Sequence, residues 1–257
     1  YMTKPEACIA QSRTSLDLAV EFSLQGDLTP PLVFLNGFRM PKSSWDKLIA
    51  LLPSNRQTLL YNRAGVGLTP ATKVAQTAQQ VITDLRCLLD QLQLQPPYIV
   101  VAHSLGGIFA NYFARQYPQE IAGMILLEAS HPEEIIAQRQ FSPPALLNWI
   151  NNTDKLIEKI GNPYKYSEDD VINESLLQIT HAGRFPEIPV CIISGTHKLP
   201  LVPVASFELH CKYQRKLLQL SPLTEYHSLE NSGHFPQLSE PETVAAIISQ
   251  WLETIKG

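Results

Sequence analysis

Short runs of mostly apolar residues recur along this chain and alternate with stretches that have a different apolar spacing. Runs in which nearly every residue is apolar, rather than every second one, are typical of strands buried on both faces of a parallel sheet. The pattern therefore predicts five buried strands. They correspond to Pro31–Leu35, Gln57–Tyr61, Tyr98–Ala102, Met124–Leu127 and Val190–Ile193.

Between these runs, apolar residues recur at steps of three and four, which is the spacing of one face of a helix. Val74–Leu92 and Ile108–Tyr117 both have this pattern. A further helix is predicted near residue 240, where Ser239 is placed to cap it and Pro241 to lie in its first turn. Strands alternating with helices predict the α/β class, with a mostly parallel central sheet flanked by helices.

The alternation stops between residues 131 and 187. This stretch has no strand-like run, contains five prolines, and carries nine acidic against five basic residues. We interpret residues 131–187 as a helical lid, or cap, inserted after the strand that ends near Glu128. Residues 1–130 and 188–257 are then expected to form the core.

Composition excludes several classes of protein. Hydrophobic residues make up 44% of the 257 positions and charged residues only 17%, which is unlike a disordered chain. The net charge of −4 argues against a dedicated nucleic-acid binder, and no apolar run reaches the roughly 18 residues of a membrane span. The N-terminal residues lack the apolar core of a signal peptide, and the four cysteines are scattered. We therefore expect free thiols and a cytoplasmic location.

A candidate nucleophile lies where the third buried run meets a helix. The sequence from Ala102 to Gly106 is Ala-His-Ser-Leu-Gly, which nearly matches the small-x-Ser-x-Gly turn known as a nucleophile elbow. Small residues are needed there because the serine sits on a sharp, strained turn that neighbouring backbone crosses closely. The pattern predicts Ser104 as the nucleophile, since its strand-then-helix context is the one that the motif requires.

A serine nucleophile needs a base, and His234 is the best placed of the seven histidines. It lies in a turn-rich loop between the run ending near Leu229 and the last helix, from which it can reach the same sheet edge as Ser104. His103 is expected to have a packing or pocket-wall role. The remaining histidines are interpreted as non-catalytic: His131, His181, His197, His210 and His227.

The base needs a carboxylate to orient it. The segment after the fifth run, from Ser194 to Leu199, contains no acidic residue, whereas Glu128 directly follows the fourth run. We therefore predict Glu128 as the third member of a Ser–acid–His triad. Its carboxylate is expected about 2.6–3.2 Å from the ring nitrogen of His234 that faces away from Ser104. The chain order Ser104, Glu128, His234 is the order that this kind of enzyme uses.

An oxyanion formed at the nucleophile needs backbone N–H donors. Leu105 is expected to supply one, because it follows the nucleophile at the start of a helix. Phe38 is expected to supply another from the loop after the first run, where Gly37 would let the chain come close.

These motifs together resemble the α/β-hydrolase superfamily, over nearly the whole chain. The resemblance is strongest to its lidded, esterase-like members, which carry a glycine loop followed by Ser-x-x-Trp, an Asp-Arg-Ala-Gly turn and a Gly-His-Ser-Leu-Gly-Gly elbow. Three positions depart from the family pattern: Asn36 replaces His, Asn62 replaces Asp, and Ala102 replaces Gly. The first two concern loops that support the triad rather than the triad itself.

The resemblance implies a serine hydrolase that cleaves a carboxylic ester or a related acyl compound, with no metal and no organic cofactor. Its substrate is expected to be a small and largely apolar molecule in contact with His103, Phe141 and Trp149. Two alternatives stay open, an acyltransferase with the same triad and a non-catalytic ligand receptor on the same fold. Dehalogenase and epoxide-hydrolase chemistry is disfavoured, because those members have Asp where Ser104 stands.

Overall fold

The computed structural model describes residues 18–141 and 167–255. Seven strands in these ranges form one sheet: β1 (Phe22–Gln25), β2 (Leu28–Leu35), β3 (Arg56–Tyr61), β4 (Tyr98–His103), β5 (Ile121–Leu127), β6 (Val190–Gly195) and β7 (Thr224–Leu229). Their order across the sheet is β1-β3-β2-β4-β5-β6-β7. Strand β1 pairs antiparallel with β3, and the other neighbours pair in parallel.

The five predicted runs correspond to β2 through β6, and the α/β class with a mostly parallel sheet is confirmed. The buried parts of these strands are mostly apolar because packed layers cover both faces of the sheet there. Val33 and Val100 belong to one buried cluster, whereas Phe34 and Val101, the next residue in each strand, belong to the other. Strand β7 lies at the sheet edge and is only partly buried, so its sequence carries a weaker apolar signal.

Helices cover both faces of the sheet. In the described ranges they are α1 (Asp46–Ile49), α2 (Ala78–Gln91), α3 (Gly106–Gln116), α4 (Pro132–Ala137), α5 (Ser167–Asp170), α6 (Ile172–His181), α7 (Val204–Lys216), α8 (Pro236–Ser239) and α9 (Pro241–Thr254). Helices α2, α3 and α6 contribute to one buried cluster, and α1 and α9 to the other. Among these helices, none combines the length and apolar character needed to cross a bilayer.

The start of the last helix differs from the prediction for Ser239. Pro241 does begin α9, but the N-cap position belongs to Glu240. Ser239 instead ends the short helix α8, where its hydroxyl donates to the carbonyl of Phe235 at 3.0 Å. The prediction was wrong because Pro236 starts a separate helical turn, which the apolar spacing alone does not reveal.

The C-terminal part of the predicted lid is attached to the core. Leu176 and Ile179 of α6 are buried in the cluster that α2 and α3 form. The hydroxyl of Ser175 accepts a hydrogen bond from the backbone N–H of Ala78 at 2.9 Å, at the start of α2. Residues 142–166 lie outside the described ranges. The lid over Ser104 therefore stays a prediction, whereas α6 is part of the packed layer.

Replacing Leu176 with Ala should lower the free energy of unfolding by about 2–5 kcal/mol, because the change leaves a cavity in the core. Leu177→Ala is the matched control, since Leu177 is 59% exposed on the same helix. We expect the control to change stability by about 0.5 kcal/mol or less. Urea unfolding of both variants measures the difference, and equal stabilities would show that α6 does not belong to the core.

Candidate active site

Ser104 lies on a sharp turn between β4 and α3. Its φ is +50°, in the left-handed region that side chains with a Cβ adopt at a cost. The turn brings α3 against the end of β2, because a Cβ at Gly106 would lie 2.3 Å from the carbonyl oxygen of Leu35. Only glycine fits that approach. The Ser104 hydroxyl is therefore presented by strained backbone that the surrounding core holds in place.

His234 lies beside Ser104, in the loop between β7 and α8. Its Nε2 atom is 3.0 Å from the Ser104 Oγ atom, which is within hydrogen-bond reach. The other ring nitrogen, Nδ1, is 3.4 Å from the Glu128 Oε2 atom. Both histidine nitrogens thus face the partners that the sequence predicts for them. The Glu128 contact is slightly longer than expected.

Glu128 follows β5 on a second left-handed turn, with a φ of +45°. Its carboxylate is buried, and Oε1 accepts hydrogen bonds from the Gly195 N–H and the Ser194 hydroxyl, both at 2.8 Å. Burial alone would raise the pKa of Glu128. Hydrogen bonds and charge from His210 and His234 outweigh burial and lower that pKa to about 2. The carboxylate is therefore ionised across the whole physiological range.

His210 is a contact of Glu128 that sequence reasoning missed. Its Nε2 atom is 2.9 Å from the Glu128 Oε2 atom, closer than His234, and its Nδ1 atom is 2.6 Å from Glu134 Oε1. This competition for one carboxylate oxygen accounts for the longer contact to His234. The apolar spacing of α7 does not indicate that His210 faces Glu128, and no local motif marks it.

The loop after β2 lies alongside the nucleophile, as the predicted oxyanion donors require. A Cβ at Gly37 would lie 3.2 Å from the Ser104 Cβ atom and 2.8 Å from the His103 ring. The Arg63 guanidinium donates to the carbonyls of Asn36 and Gly37, at 2.8 and 3.2 Å. In a trans peptide the carbonyl and the following N–H point in opposite directions, so Arg63 fixes the direction of the N–H donor of Phe38.

Leu105, the other predicted donor, immediately precedes α3. Its side chain is buried, and its backbone is at the N-terminal end of the helix. Free N–H groups and the positive end of the helix dipole meet at such a position. The location suits an oxyanion donor.

The same arginine is anchored by the predicted lid. Arg63 and Glu168 of α5 form a buried two-point ion pair, with Nε–Oε1 and Nη2–Oε2 distances of 2.5 and 3.1 Å. Their side chains are only 3% and 5% exposed. The pair therefore connects α5 to the loop that carries Phe38.

The three residues predicted to contact substrate have different positions. His103 is 1% exposed, and its Nε2–H donates to the backbone carbonyl of His234 at 2.7 Å. Burial, and then repulsion from His234, lower the pKa of His103 to about 4, so its ring is neutral. This burial favours the packing role for His103 over the pocket-wall role. Phe141 is half-buried at the end of a described range, and Trp149 lies outside the described residues.

An open cleft of about 210 Å³ reaches both His234 and Glu128. The other lining residues directly follow α4, lie in the segment after β6 or belong to α7: Gln138, His197, Leu199, Val202, Ser206, Phe207 and His210. The wall combines apolar side chains with three histidines, which are His197, His210 and His234. Sequence reasoning placed the substrate contacts at His103, Phe141 and Trp149, and so missed the part of this wall that residues 197–210 form.

One group of side chains in the described ranges has donor atoms spaced for a metal. The ligand atoms of Cys191, Glu225 and His227 lie within 4.8 Å of one another. They occupy β6 and β7, and none of them lines the cleft at His234. His227 already contacts Glu225 at 3.1 Å, and burial raises the pKa of the Cys191 thiol. The group is separate from the candidate active site, and the thiol is poorly suited to binding a cation.

Comparison with known families supports the fold assignment. The family model described as alpha/beta hydrolase fold matches residues 30–160. The chain therefore belongs to the α/β-hydrolase fold family, and the predicted resemblance is confirmed.

Individual relatives are distant but cover most of the chain. The uncharacterized protein YqjL of Bacillus subtilis is 25% identical over 221 residues, which are 86% of this chain and 83% of that protein. The pimeloyl-[acyl-carrier protein] methyl ester esterase of Xylella fastidiosa is 23% identical, over 88% of this chain and 96% of its own. A thermophilic esterase from Thermogutta terrifontis has a similar structure, with a TM-score of 0.65, 19% identity and coverage of 96% and 99%.

Glu168→Gln should destabilise the protein by about 3–5 kcal/mol, because it leaves the buried Arg63 charge without its partner. Glu120→Gln is the control. Glu120 forms an equally short two-point pair with Arg86, but those side chains are 22% and 39% exposed. An exposed pair contributes about 0–1 kcal/mol. Urea unfolding compares the two variants, and a similar small loss in both would contradict the importance of the buried anchor.

Proposed function

We propose that this protein is a serine hydrolase that cleaves a carboxylic ester or a related acyl compound through an acyl-enzyme on Ser104. The observation that carries the proposal is the continuous contact from Ser104 Oγ through the His234 ring to Glu128, at 3.0 and 3.4 Å. A nucleophile, a base and an orienting carboxylate in this order are the requirements of acyl transfer through serine.

The mechanism begins with the neutral His234 ring. Its Nε2 atom takes the proton of the Ser104 hydroxyl as Oγ attacks the acyl carbonyl, and the buried Glu128 stabilises the resulting imidazolium. The imidazolium then protonates the leaving alcohol, so that the carbon–oxygen bond of the ester breaks. His234 next activates a water molecule, which releases the acid and restores Ser104.

The negative oxygen of the tetrahedral intermediate is expected to accept hydrogen bonds from the N–H groups of Leu105 and Phe38. The helix start at Leu105 and the Arg63 contacts to the Phe38 loop support these assignments. Donors held in fixed positions need no reorganisation during the reaction. Arg63 is thus a positioning residue for the oxyanion.

The cleft supports a small substrate. Leu199, Val202 and Phe207 give it an apolar wall, and its volume is about 210 Å³. The two named relatives described as esterases support ester cleavage as the reaction class. An acyltransferase with the same triad, or a ligand receptor, remain the alternatives that the sequence left open. No metal or organic cofactor is part of this proposal.

Ser104→Ala should abolish covalent labelling by a fluorophosphonate probe and lower the hydrolysis of p-nitrophenyl esters by several orders of magnitude. Ser228→Ala is the control, because Ser228 is exposed on the edge strand β7. We expect the control to label and hydrolyse normally. Labelling that persists in Ser104→Ala would overturn the assignment, and a parent protein that never labels would favour a receptor.

Glu128→Gln should lower kcat for the best p-nitrophenyl ester by about 10⁴-fold. An amide at this position favours the wrong tautomer of the base, and the corresponding Asp-to-Asn change in the serine-protease triad has an effect of that size. Circular dichroism checks that the variant stays folded. A kcat close to that of the parent would show that a different acid orients His234.

A further inference from the structure

Two histidines share the carboxylate of Glu128, and the closer one is not the base. His210 Nε2 lies 2.9 Å from Glu128 Oε2, whereas His234 Nδ1 lies 3.4 Å from the same oxygen. A serine, a histidine and an acid are sufficient for the proposed reaction. The proximity of His210 to the acid therefore needs its own explanation.

The contacts of His210 define its charge. Its two ring nitrogens face Glu128 Oε2 at 2.9 Å and Glu134 Oε1 at 2.6 Å. An ionised carboxylate only accepts hydrogen bonds, so both nitrogens must carry a proton, and that form of the ring is the imidazolium.

The environment of His210 agrees with that charge. Burial lowers the pKa of His210, but hydrogen bonds and charge from Glu128 and Glu134 outweigh burial and raise it to about 10. The His210 side chain is only 15% exposed, so solvent screens these interactions weakly.

The positive ring lies close to the base. The ring centroids of His210 and His234 are 6.3 Å apart, and those of His234 and the neutral His103 are 5.0 Å apart. The titratable groups around His210 come from five elements: Glu128 after β5, Glu134 on α4, His197 after β6, Cys211 on α7 itself, and His234 after β7. Glu133 and Lys216 pair with each other on the exposed side of α4 and α7.

We propose that His210 is a positioning residue of this site: as an imidazolium held between Glu128 and Glu134, it fixes the Glu128 carboxylate and opposes protonation of His234. The proposal rests on the proposed function, in which His234 acts as the base. A base works only in its neutral form. A cation that contacts the same oxygen of Glu128 offsets part of the attraction between that carboxylate and a proton on His234.

The direction of the effect follows from the charges. In His210→Gln the positive charge is gone, so His234 takes up a proton more readily. As the pH falls, His234 therefore stops acting as a base at a higher pH than in the parent protein. We expect the acid limb of the kcat/KM profile to move up by about one pH unit, which is within the range that a nearby charge produces. Glutamine keeps one donor toward the carboxylates.

Glu134→Gln should move the same limb to lower pH, because it removes a negative charge while His210 keeps Glu128 as a partner. A role that is only structural would lower activity in both variants without shifts of opposite sign. His227→Gln is the matched control, since His227 contacts Glu225 in an exposed pair. Its profile should match that of the parent.

The experiment measures kcat/KM for a p-nitrophenyl ester between pH 5 and 9, in the parent and the three variants. In parallel, NMR of the imidazole nitrogens follows the proton uptake of His210 and His234. An acid limb that does not move in folded His210→Gln would overturn the proposal while the proposed function stands. A parent whose Ser104 does not label would overturn both.

The NMR measurement on the parent keeps the test decisive if His210→Gln does not fold. Both His210 ring nitrogens protonated at pH 8 would support the proposal, because the two-carboxylate contact demands that form. A His210 ring that is neutral at pH 8 would overturn it, whatever the activity of the variants.

Discussion

The candidate site depends on two left-handed turns at the ends of neighbouring parallel strands. Residue 103 of β4 lies opposite residue 127 of β5, so Ser104 and Glu128 leave the sheet at the same level. Each has a positive φ, at +50° and +45°. The backbone N–H of Ser130 donates to the Ser104 carbonyl at 2.9 Å, and the N–H of Glu128 donates to Ile193 at 2.9 Å. These bonds, with close packing around them, hold a conformation that isolated residues would avoid.

The position of Glu128 after β5 determines which charged groups surround its carboxylate. The carboxylate sits between two strand ends, accepts from Gly195 and Ser194, and lies within reach of α7. His210 on α7 therefore contacts the Glu128 carboxylate. The resulting row of His234, Glu128, His210 and Glu134 alternates between basic and acidic groups. Each buried charge then has a neighbour of opposite charge, which lowers the free-energy cost of keeping it away from water.

The sequence allowed the sheet and the main contacts of the site to be predicted, for identifiable reasons. Runs such as Tyr98–Ala102 are apolar because both sheet faces are covered, and Glu128 could be found because the segment after β6 has no acid. The Ser239 cap was wrong because Pro236 starts its own helical turn. His210 was missed because the direction of a side chain on α7 depends on tertiary packing, which periodicity does not encode.

The ion pair between Arg63 and Glu168, together with the contact between His210 and Glu134, fixes both ends of the connection from α4 to α5. The Arg63–Glu168 pair couples two segments through one guanidinium, because the same group also donates to the carbonyls of Asn36 and Gly37. A change that releases α5 would therefore also loosen the loop that carries Phe38.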